Sequence, residues 1–329
     1  MGTKVTHLLY IDDLKAFAST EAKLNRVLRS ASNAMQDMGL HWNPKKCNVL
    51  HVKRGNQVQD AVGTKLDQSS VVESLKPGTS YKFLGVQETV TQDEKLALEC
   101  AAKVYLKRLS VIWSSPLSDI NRVRASNQYA MPVLTCLMWT QHWPITELRV
   151  IDREARKIIC ENGGKHPLSS TAIMYLAREK GGRGLRSVER EYKLTKIKAA
   201  IKLCQNMDPS MRAVQQFEER AQEKGHTSLI KEAHKFAEEL GMSLSLEYLQ
   251  PSCWSVSDPE TEIQGPKVKE HLKKADMEKL KEKIKEEKWH GRFLQARWQD
   301  IELNQSGCFA WLRDWTCAPT HTIAGVVEL

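Results

Sequence analysis

Tyr10-Ile11-Asp12-Asp13 sets two adjacent carboxylates between short apolar runs at residues 5–10 and 14–18. That pattern reads as two short strands joined by a tight acidic turn. Neighbouring carboxylates repel each other, and keeping both ionised is costly unless a cation sits on them. Hard divalent metals bind carboxylate oxygen, and a pair of such ions can clamp the attacking and leaving oxygens of a displacement at phosphorus. The plain alternative is an exposed acidic turn, because aspartate is a common turn former.

Two further motifs follow in chain order. Gly39-Leu40-His41-Trp42-Asn43-Pro44-Lys45-Lys46 comes after one amphipathic helix, and Tyr81-Lys82-Phe83-Leu84-Gly85-Val86 reads as a later strand. Taken together, the YIDD hairpin, the GLxxNxxK segment and the FLG strand resemble the palm of a reverse transcriptase. The likeness continues through Thr146-Glu147-Leu148 with Asp152-Arg153, Gly164-Lys165-His166-Pro167, and Tyr175-Leu176-Ala177-Arg178 with Gly181-Gly182-Arg183-Gly184-Leu185. These look like the region after the palm in Pol polyproteins of site-specific non-LTR (LINE-type) retrotransposons.

That resemblance implies an RNA-directed DNA polymerase acting on an RNA template and a DNA primer or target. Asp12 would be a ligand of two Mg²⁺ ions and Asp13 its supporting carboxylate. Tyr10 would touch the primer or the incoming nucleotide, and Lys46 would lie near the triphosphate as proton donor to the leaving pyrophosphate. Phe83, Leu84 and Gly85 would position the primer end. The family also needs an aspartate from a strand upstream of the hairpin, and only nine residues precede Tyr10. The expectation is therefore an internal piece of such a polyprotein, cut at both ends, with an incomplete metal site and no activity alone. The alternative reading is a non-catalytic RNA- or DNA-binding remnant.

A second chemistry sits near the C-terminus. Residues 267–297 hold eleven Lys and Arg against six acids, a local balance of +5, and read as one long basic helix. Toward its end and just beyond, Lys288, Trp289, Arg292, Arg297 and Trp298 interleave cations with aromatics, as backbone attraction and base stacking on a single strand require. Core tryptophans and a solvated Lys/Glu face explain the same residues. The glycines at 181, 182 and 184 read as tight turns that aim Arg183, with Arg178 and Arg186, at a phosphate backbone.

The elements that must hold these residues divide the chain into an α+β palm portion and helical remainder. Leu24, Val27, Leu28, Ala31, Ala34, Met35 and Met38 keep helical spacing, with Ser19 or Thr20 as cap and Gly39 as stop. Strand signals follow at residues 40–42, 48–52 and 81–86. The expected organisation is a partial palm at 1–92, a helical thumb at 93–186, and a helical connector at 187–249. A linker rich in proline, serine and acid follows at 250–266, then a basic helical segment at 267–329. In the thumb, Thr146 is the expected cap of a helix carrying Leu148, Ile151, Ala155 and Ile159, and Pro132 should break the helix before it.

Composition excludes several classes. Apolar residues make up 41% of 329, too many for a disordered chain, and no stretch approaches the roughly 20 apolar residues of a membrane span. The opening residues fit no signal peptide, and eight scattered cysteines show no zinc spacing, which points to reduced thiols in nucleus or cytosol. Ile159 stands where a phosphate loop ending at Gly164-Lys165 needs glycine, and Ser187 where a dinucleotide loop needs its third, so no small-molecule cofactor is expected. A net charge of +9 (49 cations minus 40 acids) favours a polyanionic partner.

Overall fold

The computed structural model describes residues 6–58, 63–66, 71–90, 93–265, 267–288, 290–300, 305–314 and 317–327. The chain divides into two compact units, Met1–Ala97 and Leu98–Leu329, built from helices and small antiparallel sheets.

In the first unit, β1 (His7–Tyr10) and β2 (Asp13–Ala16) form a two-stranded hairpin with Tyr10 opposite Asp13. Helix α1 (Glu21–Asp37) starts where Thr20 Oγ1 accepts the Lys23 N–H at 3.3 Å. Gly39 follows its end with φ +72°, the left-handed conformation that costs glycine least. Leu24 and Leu28 from its apolar stripe join Trp42, Leu66 and Val72 in a small core, and Trp42 Nε1 donates to Ser32 Oγ at 2.8 Å.

Three more hairpins of very short strands complete this unit: β3 (Val52–Lys53) with β4 (Asn56–Gln57), β5 (Thr64–Lys65) with β6 (Val71–Val72), and β7 (Tyr81–Phe83) with β8 (Val86–Glu88). The strand expectations need correction here. Residues 40–42 form no strand, because Pro44 withholds its N–H and opens a 3₁₀ turn over Pro44–Lys46. At 48–52 there is only an isolated parallel bridge from Val49 to Ser74 and the start of β3. The run at 81–86 is interrupted by a two-residue turn at Leu84-Gly85, both with positive φ.

Helix α2 (Glu94–Ser114) crosses the division between the units. In the second unit it buries Leu98, Ala101, Tyr105, Leu109 and Trp113 at helical spacing. Helix α3 (Asp119–Ala125) runs into a wide turn over Ser126–Ala130, and Pro132 then begins the short α4 (Pro132–Thr135), where a missing N–H is tolerated. Helix α5 (Ile145–Glu161) starts directly after Pro144, so Thr146 lies in its first turn and is not its cap. Ser170 caps α6 (Thr171–Tyr175) by accepting from Ala172 N and Ile173 N at 3.1 and 3.4 Å. The central α7 (Val188–Gln205) is followed by α8 (Pro209–Glu223) and α9 (Leu229–Glu239), with breaks at Pro209 and Gly225 as the sequence predicts.

The segment read as a linker is folded. β9 (Met242–Ser245), β10 (Ser252–Ser255) and β11 (Asp258–Gln264) make a three-stranded antiparallel sheet with β10 in the middle. Cys253 and Ile263 are buried from it.

Nor is the basic stretch a single helix. Helix α10 (Lys267–Glu286) buries Val268, Leu272, Asp276, Leu280 and Ile284, spaced four apart, and Gly291 with φ +73° separates it from α11 (Arg292–Gln299). The short α12 (Gln305–Cys308), α13 (Ala310–Asp314) and α14 (Thr320–Val327) complete the chain. Phe309, Leu312 and Ile323 from this end share one core with Ile173, Leu176, Leu280, Ile284 and Leu294. The helices from α2 onward, the three-stranded sheet and the C-terminal helices thus belong to one compact unit. No helix among the described residues is long and apolar enough to cross a membrane.

Candidate functional site

The β1–β2 register leaves Ile11 and Asp12 as a two-residue turn, with Ile11 at φ +55°. A β-branched residue in the left-handed region is strained by about 1–2 kcal/mol, so the chain holds the tip of this hairpin against local preference. Leu9, Tyr10 and Ile11 are 67%, 60% and 83% exposed, and Asp12 and Asp13 are exposed and form no ion pair among the described residues. A tip that is strained, exposed and acidic is a site candidate on physical grounds.

Period-two alternation puts Lys15 on the same face of β2 as Asp13. Its ammonium binds the Glu88 carboxylate on β8, which also accepts the Tyr81 hydroxyl at 2.6 Å. Tyr81 and Glu88 are cross-strand partners. The same ammonium lies 5.6 Å from the Phe17 ring, 5.6 Å from the Tyr81 ring and 5.2 Å from the Phe83 ring. Burial pulls the Lys15 ammonium down, but its hydrogen bonds to Glu88 and Tyr81 outweigh that and leave its pKa raised. Burial also raises the Tyr81 phenol, helped by Glu88 and opposed by Lys15.

The YIDD hairpin and the hairpin carrying Phe83, Leu84 and Gly85 are therefore joined through one lysine. Leu84 and Gly85 form the turn, with φ +47° and +89°, as a type I′ turn requires. Lys46 stands apart on the 3₁₀ turn, exposed and paired with neither carboxylate. Sequence reading missed Lys15, Tyr81 and Glu88. The alternation of Asp13 and Lys15 was the only local signal available for them.

Asp12 and Asp13 supply two side-chain carboxylates. Among the described residues, no three or more His, Cys, Asp or Glu side chains gather where they could hold a metal ion. Each Mg²⁺ takes about six oxygen ligands in near-octahedral geometry, so these residues by themselves do not fit a two-metal centre.

In the second unit Arg183 requires correction. It is 3% exposed, binds Asp119 through Nη2 and donates from Nη1 to Gly164 O at 2.7 Å, so it is no surface contact for a phosphate backbone. Arg178 holds the other Asp119 oxygen and donates to Leu312 O at 2.7 Å. Burial lowers the Arg178 guanidinium although Asp119 opposes it. The glycine turns pack closely on the preceding helix end: a Cβ on Gly182 would meet Leu176 O at 2.2 Å. Arg186 remains exposed.

The C-terminal residues divide. Lys288 and Arg292 are exposed, with Arg292 donating to Lys288 O at 3.3 and 3.2 Å, and both line an open groove of about 480 Å³. Arg297 lies 5.2 Å from the Phe293 ring. Trp298 is half-buried against the core and donates to Lys180 O at 3.1 Å, so little of it is left to stack on a base. Trp289 lies outside the described residues.

Comparison with protein-family models gives no match, and neither does comparison with curated proteins.

Proposed function

We propose that the chain is part of the RNA-directed DNA polymerase of a non-LTR retrotransposon, with palm-derived elements in its first unit and thumb-derived helices in its second. The observation that carries this reading is the joining of the Tyr10–Asp13 and Phe83–Val86 hairpins through Lys15 and Glu88. A nucleotidyl transfer site needs the primer end held beside the acidic tip, and two linked hairpins supply such an arrangement. RNA template and DNA primer or target are the partners of this reading, and nucleus or cytoplasm the place. In the family the metals supply charge neutralisation at phosphorus. Here the chain's own contribution is confined to positioning the primer end and presenting two carboxylates.

A second reading is favoured by the net charge of +9: non-catalytic binding of RNA or DNA. Mg²⁺-dependent extension of a DNA primer on an RNA template, with Asp12→Ala as control, separates the two. Extension abolished by the substitution means that the metal site is completed by further groups. Binding without extension selects the second reading.

A further inference from the structure

The second unit contains a cleft of about 560 Å³ lined by residues of α5, α6, α7, α9 and α10. Helix α5 presents Arg149, Arg153 and Arg156, spaced four and three apart and so on one face. Helix α7 adds Arg190 and Lys193, and α10 adds Lys279 and Lys283 one turn apart. Against these seven cations stand Asp152, Glu189, Glu239 and Asp276.

Every one of those carboxylates is already engaged. Glu189 is held in bidentate fashion by Arg149, at 2.9 and 3.0 Å, and by Lys193 at 2.6 Å. Glu239 takes Lys193 at 2.7 Å, and Asp276 takes Arg190 Nε at 2.9 Å. Asp152 is spent on the start of α7, accepting Ser187 Oγ, Val188 N and Glu189 N at 2.6, 2.7 and 3.1 Å. Among the described residues Arg153, Arg156 and Lys283 form no close ion pair with a carboxylate, although the Arg156 charge acts on Asp152 from a distance. Arg156 donates only to the Tyr175 hydroxyl, at 3.0 Å, and Arg190 Nη1 is buried without any acceptor. Lys279 has only the exposed Glu282, at 3.2 Å.

One buried unsatisfied donor, Arg190 Nη1, and surplus positive charge from three helices face one concave space. We infer that this cleft binds a ligand carrying two or more closely spaced phosphates, with Arg153, Arg156 and Lys283 as its principal contacts and Arg190 Nη1 as a buried donor. Guanidinium forks match tetrahedral phosphate oxygens, and two phosphates suit cations spread over separate helices. The phosphates come either from a free di- or triphosphate or from the backbone of a single strand. The site does not involve the acidic hairpin, so it stands or falls independently of the polymerase reading.

The test is calorimetric titration of the full chain with inorganic pyrophosphate at fixed ionic strength, with citrate as a non-phosphate anion of similar charge. Arg153→Gln combined with Lys283→Gln changes only exposed side chains and leaves folding intact. It is expected to weaken pyrophosphate roughly tenfold or more, and Arg156→Gln to weaken it further, while Lys224→Gln, at the C-cap of α8, leaves it unchanged. A single-stranded oligonucleotide that displaces pyrophosphate and loses affinity in the same variants identifies strand backbone as the source. If only pyrophosphate binding responds, the source is a free polyphosphate. Equal binding of citrate, or pyrophosphate affinity unaltered in the double variant, overturns the inference.

Discussion

The Lys15 ammonium on β2 binds the Glu88 carboxylate on β8 and thereby couples two hairpins that lie more than seventy residues apart in sequence. Both side chains are mostly buried, and Tyr81 shares the same carboxylate. Removing one partner leaves the other charge poorly solvated, so Lys15→Met and Glu88→Gln should each cost about 1–3 kcal/mol. A double-mutant cycle read by urea denaturation checks this: the two losses should not add, because they report one interaction.

Alkaline pH should weaken the same junction. Lys15 and Tyr81 both have folded-state pKa values raised above their ordinary 10.5 and 10.0. Each therefore binds its proton more tightly when folded. The contribution is fully present below those ordinary values and is lost as pH rises through the raised ones. Stability measured from pH 9 upward should fall more steeply for the parent chain than for Lys15→Met combined with Tyr81→Phe.

Asp119 neutralises two buried guanidinium groups, Arg178 and Arg183. Asp119→Asn should destabilise the second unit by about 3–5 kcal/mol, since it leaves uncompensated buried charge. Arg183→Lys should recover little when compared with Arg183→Ala, because a point charge cannot reach Asp119 and Gly164 O together. Thermal melts of the three variants check both statements.

Burial raises the Asp152 carboxyl, against hydrogen bonds from Ser187, Val188 and Glu189. Its folded pKa lies above the ordinary 3.8, so its contribution is present at low pH and is lost as pH rises through the raised value. The stability of the parent relative to Asp152→Asn should accordingly increase as pH is lowered from neutrality toward 4. A pH-independent difference between the two would contradict this assignment of the shift to burial.

Gly182→Ala tests the packing of the glycine turns. The added methyl meets backbone, Leu176 O at 2.2 Å, which cannot move aside as a flexible side chain would. A loss of about 1–3 kcal/mol is expected, whereas Gly225→Ala has open space and pays only for its positive φ. Paired denaturation curves distinguish the two.

Much of this fold can be read from local pattern. Helix α1 announces itself through the three-and-four spacing from Leu24 to Met38, the Thr20 cap and the Gly39 stop, and the acidic hairpin through apolar runs around Asp12-Asp13. Other features depend on distant partners. Arg183 looks like a surface cation because Asp119, which buries it, lies 64 residues away. The strands β10 and β11 are hidden by a composition rich in serine, proline and acid, and only the pairing of β10 with both β9 and β11 makes Cys253 and Ile263 interior. Leu84-Gly85 carries a weaker turn signal than Asn-Gly, so the hairpin there reads as one strand. Gly291 reads as an interior residue of a basic helix until Ile284, 2.4 Å from where its Cβ would be, shows why glycine is needed.

The most direct test places a photoreactive group on the 3′ end of a DNA primer annealed to an RNA template, cross-links it to the chain, and maps the attachment by mass spectrometry. Cross-links are expected within the paired hairpins, at residues 7–16 and 81–88, without need of catalysis. Bound primer–template whose 3′ end attaches only to residues of the second unit would contradict it.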